Sequence, residues 1–237
     1  MPYQFFDCKV IDIINETDVV KRFFIKVPDE IRFTFTAGQF VRLDLPIDHK
    51  EIDRSYSISS PPSDDNIFEL LIVLKPSGIG TNYLFHHVEK NSTIKVSKAV
   101  GKFHLPEVID LDICFVCTGT GIAPLRSMLL DIFNKNTPHK NLYLIFGNRL
   151  EKDILYRKEM EDLQQKHPEF KFIPVLSRDA GWMGHKGYVH GVYEKMFSHH
   201  PEIYFYLCGW KEMLREARQR VAEMGYDKKH IKFEVYD

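Results

Sequence analysis

The stretch ICFVCTGTGIAPLRSML (Ile113–Leu129) decides the fold of the second half of this chain. A buried apolar run leads through glycines into an apolar-periodic segment, which reads as strand, tight turn and helix. Pro124 fits the first helical turn, where its missing N–H costs nothing. It also stands where a full GxGxxG fingerprint needs its last glycine. The next strand ends in Gly147-Asn148-Arg149, without the acidic residue expected about twenty positions after such a turn. A standard dinucleotide dehydrogenase is therefore disfavoured, and no lysine-ending phosphate loop is present. Cys114 and Cys117 form a CxxC, but on a strand positions i and i+3 face opposite sides, which suits neither a metal nor a redox pair.

Downstream, strands alternate with helices. Strands are expected at Leu142–Phe146, Lys171–Leu176 and Ile203–Cys208, with a last one in HIKFEVY. The helices expected between them run over Ile122–Asn134, Asp153–Lys166 and Val192–Phe197, then through KEMLREARQRVAEM. This alternation predicts a parallel α/β sheet. Upstream the period is two. FFDCKVIDII, VVKRFFIKV, QFVRLDL, RSYSIS, FELLIVLK and TIKVS are short, β-rich and separated by turn residues, with one short helix over Thr81–Val88. Many antiparallel strands close together predict a small barrel, because closure removes exposed edges. Two domains are expected, an antiparallel β-barrel over 1–105 and an α/β parallel-sheet domain over 106–237. The boundary lies near Leu105–Leu111.

The 237 residues carry 44% hydrophobic and 27% charged side chains with a net charge of -1. That balance is globular and offers no bulk attraction for nucleic acid or an acidic membrane. Apolar stretches are too short to span a bilayer, and the first residues lack a signal-peptide layout, so a cytoplasmic protein is expected. Four scattered cysteines make neither a disulfide framework nor an iron–sulfur ligand set. The histidine pairs His86–His87 and His199–His200 lack metal-ligand spacing, so no metal is expected.

Two further stretches carry chemistry. RSYSISS (Arg54–Ser60) ends a barrel strand; taken alone, it reads as an ordinary hairpin edge. In LKPSGIGTNYLF, Gly78 and Gly80 permit close backbone approach and Thr81 is placed at a helix N-cap. Free N–H groups at such a helix start suit a pyrophosphate, and an arginine on a neighbouring strand would complete the anion site.

Together these motifs resemble the ferredoxin–NADP reductase superfamily over essentially the whole chain. The resemblance rests on Arg54, Tyr56, Ser57 and Ser60 of RxYSxxS, and on Gly78, Gly80 and Thr81. It continues in GTGIAP (Gly119–Pro124), FGNR (Phe146–Arg149) with Asp153 and Tyr156, and CGxxxM (Cys208, Gly209, Met213). The ending Phe233-Glu234-Val235-Tyr236 completes it. One departure is SKAVGKF in place of GPxGxF, which keeps Gly101 and Phe103.

The resemblance implies a hydride transfer between NAD(P)H and bound FAD. It implies that Arg54 pairs with the flavin pyrophosphate, Tyr56 packs on the flavin and Ser57 lies near its N5, with Ser55 among the cofactor-binding residues. Val73, Leu74, Lys75, Gly78, Gly80 and Thr81 would hold the rest of the flavin nucleotide. Gly119, Thr120, Gly121 and Gly209 would admit the nicotinamide nucleotide. Cys208 would stand beside its C4, with Glu234 polarising that region and Tyr236 stacking on the flavin. Ser177 and Arg178, with Lys186, resemble a 2′-phosphate site, although the same loop also looks like those of NADH-using oxygenase reductases. Electrons would leave to a separate ferredoxin, flavodoxin or oxygenase component, or to a small oxidant. Lys211, Arg215, Arg218, Arg220, Lys228 and Lys229 form either a docking face for an acidic carrier or an ordinary solvated surface. The alternative function is a flavin-binding regulatory or adaptor subunit with little turnover.

Overall fold

Alternating apolar and polar residues in the first hundred positions produce strands with one buried face. The computed structural model describes residues 4–47 and 50–236; the outermost residues of the two expected domains, 1–3 and 237, lie outside the described residues. Strands β1 (Phe5–Thr17), β2 (Val20–Lys26), β3 (Phe40–Ile47), β4 (Lys50–Ser57), β5 (Ile67–Val73) and β6 (Thr93–Ser97) form an antiparallel sheet in the order β4-β3-β6-β1-β2-β5. Its ends meet through an Ile58–Leu70 bridge and a bond from Ser59 N–H to the Glu69 carbonyl (2.8 Å), which closes the sheet into the expected barrel. Cys8, Val10, Phe23, Ile25, Val41, Leu43, Phe68 and Leu70 fill its interior.

The short helix α1 spans Ile79–His86, two residues earlier than its periodicity suggests. Gly78 takes the N-cap, displacing Thr81 from the expected position. The Thr81 hydroxyl closes the preceding loop instead, accepting from Lys75 N–H (3.1 Å) and facing the Gly78 carbonyl (3.1 Å).

In the second half β7 (Asp112–Thr118), β8 (Leu142–Asn148), β9 (Phe170–Leu176), β10 (His185–Lys186), β11 (Ile203–Trp210) and β12 (Ile231–Tyr236) are all parallel, in the order β10-β9-β8-β7-β11-β12. Helices α2 (Ile122–Asn134), α3 (Arg157–Lys166), α4 (Val189–Met196) and α5 (Lys211–Glu223) connect them. The helix expected from Asp153 is broken. Glu151–Asp153 form a 3-10 turn, Tyr156 adopts a left-handed backbone (φ 53°), and α3 starts only at Arg157.

By contacts the chain divides into two compact units. The first contains residues 1–105 with 126–135, so most of α2 counts with the barrel; the second contains 106–125 with 136–237. No helix among the described residues is long and apolar enough to cross a membrane.

Candidate functional site

In the barrel unit β4 carries Arg54, Ser55 and Tyr56 outward to its C-terminal end, and β5 delivers the chain into the Lys75–Gly80 loop. Arg54 and Ser55 are exposed, Tyr56 is half-buried and Ser57 is buried. A Cβ on Gly80 would stand 3.1 Å from Arg54 Cγ and 3.6 Å from Arg54 Nε. Glycine leaves room for the start of α1 to lie this close to the arginine, where a side chain would push it aside by a few tenths of an ångström. No side chain caps the first N–H groups of α1. An exposed guanidinium lying against an uncapped helix start fits a diphosphate group. Burial pushes the Tyr56 phenol up to about 12, so it stays neutral and presents an apolar ring with a polar tip. Asn82 Nδ2 donates to the Lys75 and Gly78 carbonyls (3.0 and 2.9 Å), fixing the loop that carries Lys75. Val73 pairs with Val20, and Leu74 N–H donates to the Val19 carbonyl (2.8 Å).

Behind RSYSISS lies a buried polar network. Glu69 on β5 takes a bidentate pair from Arg22 (2.9 and 3.0 Å), an ion pair from Arg126 (3.4 Å) and a hydrogen bond from Ser59 Oγ (3.2 Å). Arg126 also donates to the Ser59 carbonyl (2.7 Å), and Ser127 Oγ to that of Ser60 (2.7 Å). The far end of the motif is thereby pinned to the N-terminal part of α2.

In the α/β unit β8, β9 and β10 run to one side of β7, while β11 and β12 lie on the other. The switch point falls between β7 and β11, where sheets of this kind bind ligands beyond the strand ends. Gly119, Thr120 and Gly121 form a 3-10 turn there, and Gly209 has φ +142°. A Cβ on Gly121 would lie 2.4 Å from the Cys208 carbonyl, and one on Gly209 2.4 Å from Thr118 Oγ1. Glycine at both positions brings the two strand ends together. Cys117, Cys208 and Glu234 occupy one row across β7, β11 and β12. Cys208 is fully buried, and desolvation, with smaller contributions from Glu234 and Cys117, pushes its thiol well above the usual range. The Tyr236 hydroxyl hydrogen-bonds its sulfur. Cys208 is thus a neutral, buried thiol without nucleophilic character.

Ser177 and Arg178 are exposed just beyond β9. Their N–H groups donate to the Asn148 and Arg149 carbonyls (3.0 and 2.9 Å), placing FGNR and LSR side by side. Asp179 bonds the N–H groups of Glu151 and Gly181, and Lys186 Nζ reaches the Ala180 carbonyl (2.7 Å). The basic helix α5 is partly committed within the chain. Arg220 is paired with Glu194 and Glu216, and Arg218 stacks over Phe233 at 3.8 Å.

Comparison with known proteins agrees with this geometry. Residues 7–105 match the oxidoreductase FAD-binding domain model, and 115–219 the oxidoreductase NAD-binding domain model. The chain is 31% identical to ferredoxin–NADP reductase B of Sorangium cellulosum, over 98% of both chains. The chain belongs to the ferredoxin–NADP reductase superfamily. It is 28% identical to the glycine betaine monooxygenase reductase subunit of Chromohalobacter salexigens, covering 96% of this chain but 63% of that one. A ferredoxin–NADP+ reductase from Neisseria gonorrhoeae with bound FAD and NADP superposes with a TM-score of 0.85. The identity is 26%, over 99% of each chain. This reductase is a flavoprotein oxidoreductase that binds FAD and NAD(P) and transfers electrons between them.

Sequence reasoning passed over three residues of interest. Glu69 and Arg126 are single charges inside apolar runs, ELLIV and IAPLRSML, and that isolation is the signal of a buried pair. Trp210 hides inside CGxxxM as an unspecified position, yet it is 57% exposed at the end of β11.

Proposed function

We propose that the reductase takes a hydride from NADPH in the α/β domain (106–237) and passes electrons from the barrel domain (1–105) to a separate redox protein. Bound FAD would supply the hydride-accepting chemistry and the means of passing electrons on singly. The observation that carries this reading is the pairing of Arg54 with the uncapped start of α1 at Gly78–Thr81. Arg54 and the α1 N–H groups would hold the pyrophosphate, with Ser55 also among the cofactor-binding residues. Tyr56 covers the flavin ring with its neutral phenol, and Ser57 donates towards N5. Val73, Leu74 and Lys75 would hold the remaining flavin nucleotide.

Gly119, Thr120, Gly121 and Gly209 seat the nicotinamide nucleotide. Cys208 would stand beside the reacting carbon, Glu234 would polarise that region and Tyr236 would be the residue that stacks on the flavin. No proton has to be moved by a strong acid–base pair, because the transfer depends on orientation and exclusion of water. Ser177 and Arg178 favour NADPH through the 2′-phosphate, and the likeness to ferredoxin–NADP reductase B supports the same donor. Ferredoxin or an oxygenase component is the acceptor class suggested by the relatives' names. Four free, buried cysteines suit a reducing cytoplasm.

The test is anaerobic mixing of the yellow protein with NADPH and, separately, NADH. Rapid bleaching by NADPH and slower bleaching by NADH are expected. A flavin that stays oxidised with both cofactors refutes the assignment.

A further inference from the structure

Trp210 has no place in the motifs that identify the family, yet it stands at the crevice between β7 and β11. It is the N-cap of α5, and its backbone N–H reaches Thr118 Oγ1 (3.4 Å). Its indole is 57% exposed, an unusual setting for the largest apolar side chain. A side chain grown on Gly119 would meet a single atom within 4 Å among the described residues, the indole Nε1 at 3.7 Å. Beside Gly119 the space is therefore open except towards Trp210, whereas Gly121 is closed off by the Cys208 carbonyl. The indole N–H has no acceptor among the described residues, so a donor and an aromatic face border an open space beside glycine N–H groups. The first N–H groups of α5 also lack a side-chain cap, which adds a second helix start at the same place.

We propose that Trp210 is a binding residue for the nicotinamide nucleotide, offering its ring face and Nε1–H to the ribose–phosphate portion seated at Gly119–Gly121. This rests on the assignment of that turn to the nicotinamide nucleotide. Burial of an exposed indole against the cofactor removes apolar area from water, and the N–H gains an oxygen acceptor. The contribution is to cofactor affinity, so KM rises more than kcat falls when the side chain is truncated.

The chain has only two tryptophans, Trp182 and Trp210, so each can be watched alone. The FAD-loaded protein is titrated with NADP+ and with NAD+, following tryptophan emission and, in parallel, the heat of binding. In the Trp182→Phe variant the remaining Trp210 emission should change on saturation with the preferred cofactor. Trp210→Ala should raise the Kd about tenfold, equivalent to about 1.4 kcal/mol. Trp210→Phe keeps a ring but loses the donor, and should raise the Kd roughly threefold. Trp210 emission that does not respond to a bound cofactor, or an unaltered Kd in Trp210→Ala, overturns the proposal while leaving the turn's assignment intact. Wild-type protein that binds neither cofactor overturns that assignment and the proposal together. Because the Trp210 indole is largely exposed, its two variants leave the core packing in place, and the flavin absorption of every variant, Trp182→Phe included, confirms the loaded state.

Discussion

Replacing Glu69 by alanine removes the carboxylate on which Arg22, Arg126 and Ser59 Oγ converge. Glu69 is 3% exposed and Arg126 5%, so both charges lie out of water, while Arg22 retains Glu16 at 3.6 Å as a partial counter-charge. In the variant Arg126 keeps the Ser59 carbonyl but loses Glu69 as counter-charge. Breaking a buried pair from one side costs about 3–5 kcal/mol, because the remaining charge stays desolvated. For a chain of this size each kcal/mol lowers the midpoint by about 2–4 °C, so a fall of roughly 10 °C is expected. The double variant Glu69→Leu/Arg126→Met removes both charges and fills part of the space; it should be more stable than Glu69→Ala. The assay is thermal unfolding of the FAD-loaded protein, read by circular dichroism and by the rise in flavin fluorescence on release. Both signals should move together, since the network backs Ser59 and Ser60 of the flavin-side motif. A Glu69→Ala midpoint at the wild-type value, or a double variant less stable than the single, refutes the argument.

Arg54→Ala should weaken FAD binding about 10–100-fold, the loss of a charged hydrogen-bonding partner, as measured by flavin titration of the apoprotein; unchanged affinity would remove Arg54 from the site. Gly121→Ala places a Cβ 2.4 Å from the Cys208 carbonyl and should separate the ends of β7 and β11. A cost of about 1–3 kcal/mol and a raised KM for NADPH are expected from denaturant unfolding and steady-state kinetics. Desolvation holds the buried His190 imidazole below its usual 6.5, against the opposing pull of Glu216 at 3.4 Å. The folded state therefore prefers the neutral ring. Its contribution to stability is present above the unfolded value and is lost as pH falls through the lower folded value. Denaturant midpoints measured from neutral pH downward should fall, and His190→Gln should flatten that part of the profile.

The periodicities that set the two architectures are local, which is why they were readable in order along the chain. Alternation in TIKV (Thr93–Val96) and the apolar run ICFVC are consequences of one buried face and two buried faces respectively. Details failed where a residue had competing partners. Thr81 is a good helix cap in isolation, but its hydroxyl found the Lys75 N–H six residues back, leaving Gly78 at the cap. The charged segment from Asp153 looks continuously helical, but Tyr156 takes a left-handed backbone that interrupts it. The basic residues of α5 read equally as a docking face or as a solvated surface, and Glu194 on α4 and Phe233 on β12 engage two of its arginines.

By itself the sequence determined the two-part fold, the flavin and nicotinamide cofactors, and the order of the motifs that place the chain in its family. Each of these is written within a few neighbouring residues, as turn glycines, strand alternation or a helix start. Only the tertiary structure decided which distant residues meet. Glu69 and Arg126 are 57 positions apart, and Trp210 reaches Thr118 across 92. Such contacts depend on which strands close the barrel and on which side of β7 the strand β11 inserts. Those are outcomes of burying whole faces, and no local preference of Glu69, Arg126 or Trp210 encodes them.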